Sequence, residues 1–204
     1  VLIVLAVLIV NTAKVLLTLW LAARAANVSL VAQIKQQLLL GGGLPYDGIK
    51  RNRLASYTCD FKLDHAQVQQ LVGALKLSTS IKVLGLRETG LGPAEGALLV
   101  QALSTRTSVT ECDLFKNALD VETATALAAI ATEKRITLAG ITHDQTEAGF
   151  SEQGLKAVDA LLMASDLRVS AALTSLNISW NSIGTEGGIA MAEALKFNTA
   201  LTSL

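Results

Sequence analysis

The sequence predicts an α/β fold, a solenoid of short parallel strands backed by convex helices and preceded by a long apolar helix. Three observations predict it. The tetrapeptide LTSL stands at residues 173–176 and again at 201–204, a step of 28 residues, and the same step separates Ile81 from Val109. Between such anchors lie helical patterns of alanine and leucine: GPAEGALLVQAL ending at Leu103, VETATALAAIA at Ala131, SEQGLKAVDALL at Leu162 and GTEGGIAMAEAL at Leu195. Of the 204 residues 51% are hydrophobic but only 4% aromatic, so the interior must be aliphatic, which suits small repeated units.

The amino-terminal segment 1–40 comes first. Residues 1–23 carry fourteen Leu, Ile or Val and one formal charge, Lys14. As a helix they extend ~35 Å, enough to cross a hydrocarbon layer of ~30 Å. The aliphatic side chains favour insertion by about 6 kcal/mol in sum, against about 3 kcal/mol for one central lysine. A transmembrane helix is therefore expected, with Trp20 as interfacial anchor and Arg24 opening a basic flank that places the following residues on the cytoplasmic, stromal or matrix side. Burial of this helix inside a protein assembly is the competing reading, because Lys14 and the Asn11-Thr12 pair interrupt the apolar run. Residues 27–40 are amphipathic, with Leu30, Ile34 and Leu38 on one stripe. The stretch GGGLPYDG then ends any helix, and residues 41–53 read as a linker.

From residue 54 to 204 the pattern L-x-x-L-x-L-x-x-N-x-L recurs. Leu173, Leu176, Ile178, Asn181 and Ile183 fill it completely, and Val109, Cys112, Leu114, Asn117 and Leu119 fill it with cysteine as a small apolar residue. Ile81, Leu84, Leu86 and Leu91 fit, with Thr89 in the Asn position; Leu54, Tyr57, Cys59 and Leu63 form a weaker first copy. These residues resemble the leucine-rich repeat family, and the 28-residue step with N-x-I-G-x-E-G is similar to its ribonuclease-inhibitor type, found also in NOD-like receptors. The resemblance implies that the Asn bonds backbone groups at the turn after each strand, so Asn117 and Asn181 do this well and Thr89 poorly. One strand and one helix cannot bury their apolar faces alone, whereas stacked copies share a continuous core.

The interval from Val109 to Leu173 exceeds two such steps by eight residues. Ile136 and Leu138 are expected to act as the inner strand pair of that irregular copy, with Ile141 in the Asn position. THDQTEAG before Phe150 and ASDLRVSAA after Leu162 then read as loop extensions. Because the first residue is Val and the last lies inside an unfinished copy, the sequence reads as a piece of a longer chain.

Strand residues between the inner anchors point to the concave face. That assigns it Val83, Gly85 and Arg87, then Glu111, Asp113 and Phe115, then Arg135, Thr137 and Ala139, then Ser175, Asn177 and Ser179, with Glu88, Lys116 and Trp180 at the rim. Arg87, Glu111, Asp113, Phe115, Asn177 and Trp180 form the candidate partner-binding set, with Phe115 and Trp180 as exposed anchors. Seventeen basic and seventeen acidic residues leave no field to recruit nucleic acid. His143, Asp144 and Glu147 lie close in sequence but read as a solvated turn, and no metal or cofactor is expected. Neither a catalytic triad spacing nor a phosphate-binding glycine motif occurs, and Cys59 and Cys112 read as buried reduced thiols.

The expectation is a non-catalytic, membrane-anchored scaffold or accessory subunit. It would grip protein partners on the concave face and membrane-complex subunits through residues 1–40. The alternative is a soluble sensor or inhibitor of the NOD-like receptor or ribonuclease-inhibitor type.

Overall fold

The computed structural model describes residues 55–105 and 108–204. The chain divides into two units, Val1–Asp47 and Gly48–Leu204, and every described residue belongs to the second. The segment 1–40, with Lys14, Trp20 and Arg24, and the linker 41–53 lie outside the described residues. Among the described residues, no helix is long and apolar enough to cross a membrane.

Strands and helices alternate: β1 (Ser56–Thr58), α1 (His65–Leu77), β2 (Val83–Gly85), α2 (Pro93–Ser104), β3 (Glu111–Asp113), α3 (Val121–Lys134), β4 (Glu147–Gly149), α4 (Ala157–Val169), β5 (Ser175–Asn177) and α5 (Gly184–Leu195). All strand pairs are parallel, which demands a crossover between neighbours, and α1, α2 and α4 supply those of the three pairs. Each strand has only its middle side chain buried, and these form a spine: Tyr57 opposite Leu84, Leu84 opposite Cys112, and Ala148 opposite Leu176. The aliphatic interior predicted from composition is therefore present, in register. Cys59 and Cys112 are buried and reduced.

Local chemistry sets the helix starts. Asp64 and Gln67 form a capping box at α1, with the Asp64 carboxylate accepting the Gln67 amide at 2.8 Å. Pro93 opens α2 and Asp120 caps α3 through the Thr123 amide at 2.8 Å. Neighbouring helices approach closely where a side chain is missing: a Cβ on Gly187 would lie 2.8 Å from that of Ala160.

The asparagines tie turn to turn as expected. Asn117 donates to the Leu86 and Leu114 carbonyls at 2.7 and 2.9 Å and accepts the Leu91 amide at 3.0 Å. Asn181 repeats this on Phe150, Ile178 and Leu155 at 2.7, 2.9 and 2.9 Å. Thr89 reaches only its own Leu86 carbonyl, at 2.7 Å, and meets Asn117 at 3.4 Å.

The irregular copy differs from expectation. Thr137 pairs with Glu111 through a single bridge, so Leu138 rather than Ile136 faces Cys112. THDQTEAG is not a plain loop: its last residues form β4, which pairs with β5 and not with the 136–138 segment. The sheet is thus broken into β1-β2-β3 and β4-β5. ASDLRVSAA is not an extension either, because α4 continues through Val169.

Two buried carboxylates of α4 hold the break together. Asp166 accepts the Leu138 and Ala139 amides at 2.5 and 2.7 Å, replacing the strand carbonyls that a continuous sheet would offer. Asp159 accepts the Lys116 amide at 2.8 Å and caps its own helix through the Lys156 amide at 2.9 Å. Burial pushes the Asp166 carboxyl well above the usual aspartate range, against the pull of those two amides.

Candidate functional site

The outward strand positions make one polar face in two parts. On β1 to β3 it carries Ser56, Thr58, Val83, Gly85, Glu111 and Asp113, continued by Arg87 beyond β2. Gly85 is required there, since a Cβ would come within 2.8 Å of the Thr58 methyl. On β4 and β5 the face carries Glu147, Gly149, Ser151, Ser175, Asn177 and Ser179.

In the first part the side chains are committed to one another. The Arg87 guanidinium lies 3.9 Å from the Asp113 carboxylate, donates to Gln153, and sits 5.5 Å from the centre of the Phe115 ring. Asp113 also accepts the Phe115 amide at 3.0 Å. Burial pushes its carboxyl above the usual range, while that amide and Arg87 pull it down. Beside them Lys116 pairs with Glu88 at 2.9 Å, and this contact holds the Glu88 carboxyl below its ordinary value. A groove of about 430 Å3 lined by Cys59, Asp60, Phe61, Lys62, Arg87 and Glu88 borders this group.

Phe115 corrects an expectation. It is fully buried, not an exposed anchor. The break brings Phe150 against it edge to face, with ring centres 5.2 Å apart, and Arg87 covers another side. Thr137 and Ala139, expected on the concave face, are also buried, at the seam between the sheets. Arg135 is exposed but ends α3 in a left-handed conformation.

The second part is open. Asn177 is exposed and its side-chain oxygen accepts both the amide and the hydroxyl of Ser179, at 3.0 and 2.6 Å. The Ser179 hydroxyl meets that of Ser151 at 3.0 Å. Trp180 is 82% exposed at the rim. Of the candidate set, the structure gathers Arg87, Asp113 and Phe115 into one locked cluster. Asn177 and Trp180 form a separate, solvent-facing patch, and Glu111 is half-buried on β3.

The rim holds a pattern that spacing alone did not reveal. Glu88, Lys116, Glu152 and Trp180 all adopt φ of 57–58°, a costly backbone for residues with side chains. Glu152 was absent from the candidate set, although its 28-residue offset from Trp180 was legible. His143 bonds the Arg135 carbonyl at 2.9 Å, and no group of three metal-ligating residues occurs among the described residues.

This geometry, short parallel strands with crossover helices and an asparagine at the turn, fits a leucine-rich-repeat-like α/β fold. Residues 170–192 match the family model described as Leucine Rich repeat, which spans β5, the Asn181 turn and most of α5. Among curated proteins no significant match was found. Solved structures give 21 significant matches, among them Leiomodin-1 Actin-Binding Site 2 (ABS2), 16% identical over 78% of this chain and 75% of that one, with a TM-score of 0.41. At that identity and score its actin binding does not transfer to this chain.

Proposed function

We propose that the chain is a non-catalytic protein-interaction module that binds its partner on the β4-β5 face and the adjoining rim. Trp180 carries this reading. An indole 82% exposed on a turn beside small polar residues has a large surface to bury, and none of the described residues buries it. The cluster around Arg87 supports the edge of the surface, since its charges are already paired.

In this reading residues 1–40 attach the module to a membrane complex, with the repeats on the cytoplasmic, stromal or matrix side. Support for the attachment is the apolar run around Lys14, Trp20 and Arg24 in the sequence. The second reading, a soluble sensor or inhibitor of the ribonuclease-inhibitor or NOD-like receptor type, draws support from the 28-residue offset of the paired strands β2-β3 and β4-β5. Detergent phase partitioning separates the two, because an anchored chain enters the detergent phase and a soluble one stays in water.

The binding surface is tested by a photo-crosslinking residue at Ser179, introduced into the full chain in native membranes. Capture of one protein from Ser179, reduced by Trp180→Asn, is the expected result. Capture from the outer faces of α2 and α3 alone overturns the proposal.

A further inference from the structure

The two rim pairs, Glu88 with Lys116 and Glu152 with Trp180, occupy the same place just beyond their strands. The Glu88 amide donates to the Phe115 carbonyl at 3.0 Å, and the Glu152 amide donates to the Ser179 carbonyl at 3.1 Å. In each case the acceptor immediately precedes the second rim residue, and all four share the same backbone conformation. In the first pair a lysine closes on the carboxylate at 2.9 Å. In the second the lysine's position holds an indole, and among the described residues the Glu152 carboxylate has no ion pair. Arg87 does not fill the gap, being engaged by Asp113, Gln153 and the Phe115 ring.

We infer that Glu152 and Trp180 together seat a cationic side chain, arginine or lysine, of a partner protein. This rests on the strand face being the binding surface and adds the chemistry of what binds at its rim. Glu152 and Trp180 are exposed on adjacent turns joined by that backbone bond, and a carboxylate and an indole so placed offer a cation both an opposite charge and a π surface. The chain already uses the second contact internally, with Arg168 5.0 Å from the centre of the Phe197 ring. The neighbouring strand face adds Glu147 and no cation of its own, so an acidic partner segment is disfavoured there.

The experiment uses the full chain in nonionic detergent with 15N-labelled indoles. Of the two indole signals, the one lost in Trp180→Asn belongs to Trp180. Acetyl-Gly-Arg-Gly-amide is titrated against its citrulline counterpart, which keeps the shape and loses the charge. The Trp180 signal should move with the arginine peptide only, and Glu152→Gln should weaken that binding about five-fold. Equal shifts with both peptides, no shift with either, or an unchanged affinity in Glu152→Gln overturns the inference. A partner captured at Ser179 whose affinity is unaffected by Glu152→Gln also overturns it while leaving the proposed function standing. Failure of the proposed function shows instead as capture away from the strand face.

Discussion

Asp113 and Asn177 hold the same place in two strands, and each accepts the amide two residues on at 3.0 Å. Their surroundings diverge from there. In the first strand the donating residue is Phe115, fully buried under Phe150 and Arg87; in the second it is Ser179, exposed, with Trp180 standing beyond it. One local backbone device thus serves as an inner joint near the break and as an outer platform at the last described strand. The break in the sheet brings Phe150 over one site, and among the described residues the other stays exposed.

Replacing the aromatic in each place gives the sharpest contrast. Phe115→Ala should lower unfolding free energy by about 3–5 kcal/mol in urea denaturation, since it empties a packed site. Next in size is Asp166→Ala, expected to cost about 2–3 kcal/mol because two buried amides lose their acceptor. Faster hydrogen exchange at Leu138 and Ala139, with Leu84 and Cys112 unchanged, would locate the damage at the seam. A loss at Phe115→Ala no larger than that of a surface change would erase the distinction between the two regions.

Asp166 also sets a pH dependence. Its folded-state pKa is raised by burial, so the folded chain holds the proton more tightly than the unfolded one. Stability should therefore fall as pH rises from the unfolded aspartate value of about 3.9 through the higher folded value. Asp113 on β3, itself raised by burial and faced by Arg87, contributes in the same direction, and Asp166 and Asp113 repel each other. Asp166→Asn should flatten part of that slope in denaturation followed at several pH values; an unchanged slope would show that Asp166 is not its source.

Smaller effects complete the series. The Thr137 hydroxyl is buried with no hydrogen-bond partner among the described residues, so Thr137→Val should gain about 1 kcal/mol. Trp180→Asn should change stability by about 0.5 kcal/mol at most, read in the same denaturation series, while reducing partner capture. A large loss there would make Trp180 a structural residue like Phe115.

The spine and the asparagine ties were legible because small apolar residues and asparagine recur at matching places of the copies, as with Leu84 and Cys112 at a step of 28 residues and Leu176 in the last full copy. The break was not. Ser165, Asp166 and Ser170 looked like loop residues, yet all three are buried within or at the end of α4, and Asp166 is satisfied by backbone amides that belong to another part of the chain. A polar residue whose partner is a distant peptide group leaves no local signal. Phe115 was misplaced for a related reason: alternation along a strand tells which side a residue faces, and it is silent on whether a later segment covers that side. Residue Glu152 was missed because the recurrence that mattered there was of backbone conformation, shared by side chains as unlike as Glu, Lys and Trp.

Tension would find the seam first. Within each sheet, a pull along the stack is opposed by rows of peptide hydrogen bonds acting together, while between the sheets the described backbone offers no such row and the grip passes to the packing of α3 on α4, to Asp159 and Asp166, and to the Phe115–Phe150 contact. There a load meets side chains and packed helices where elsewhere in the described stack it also meets peptide hydrogen bonds.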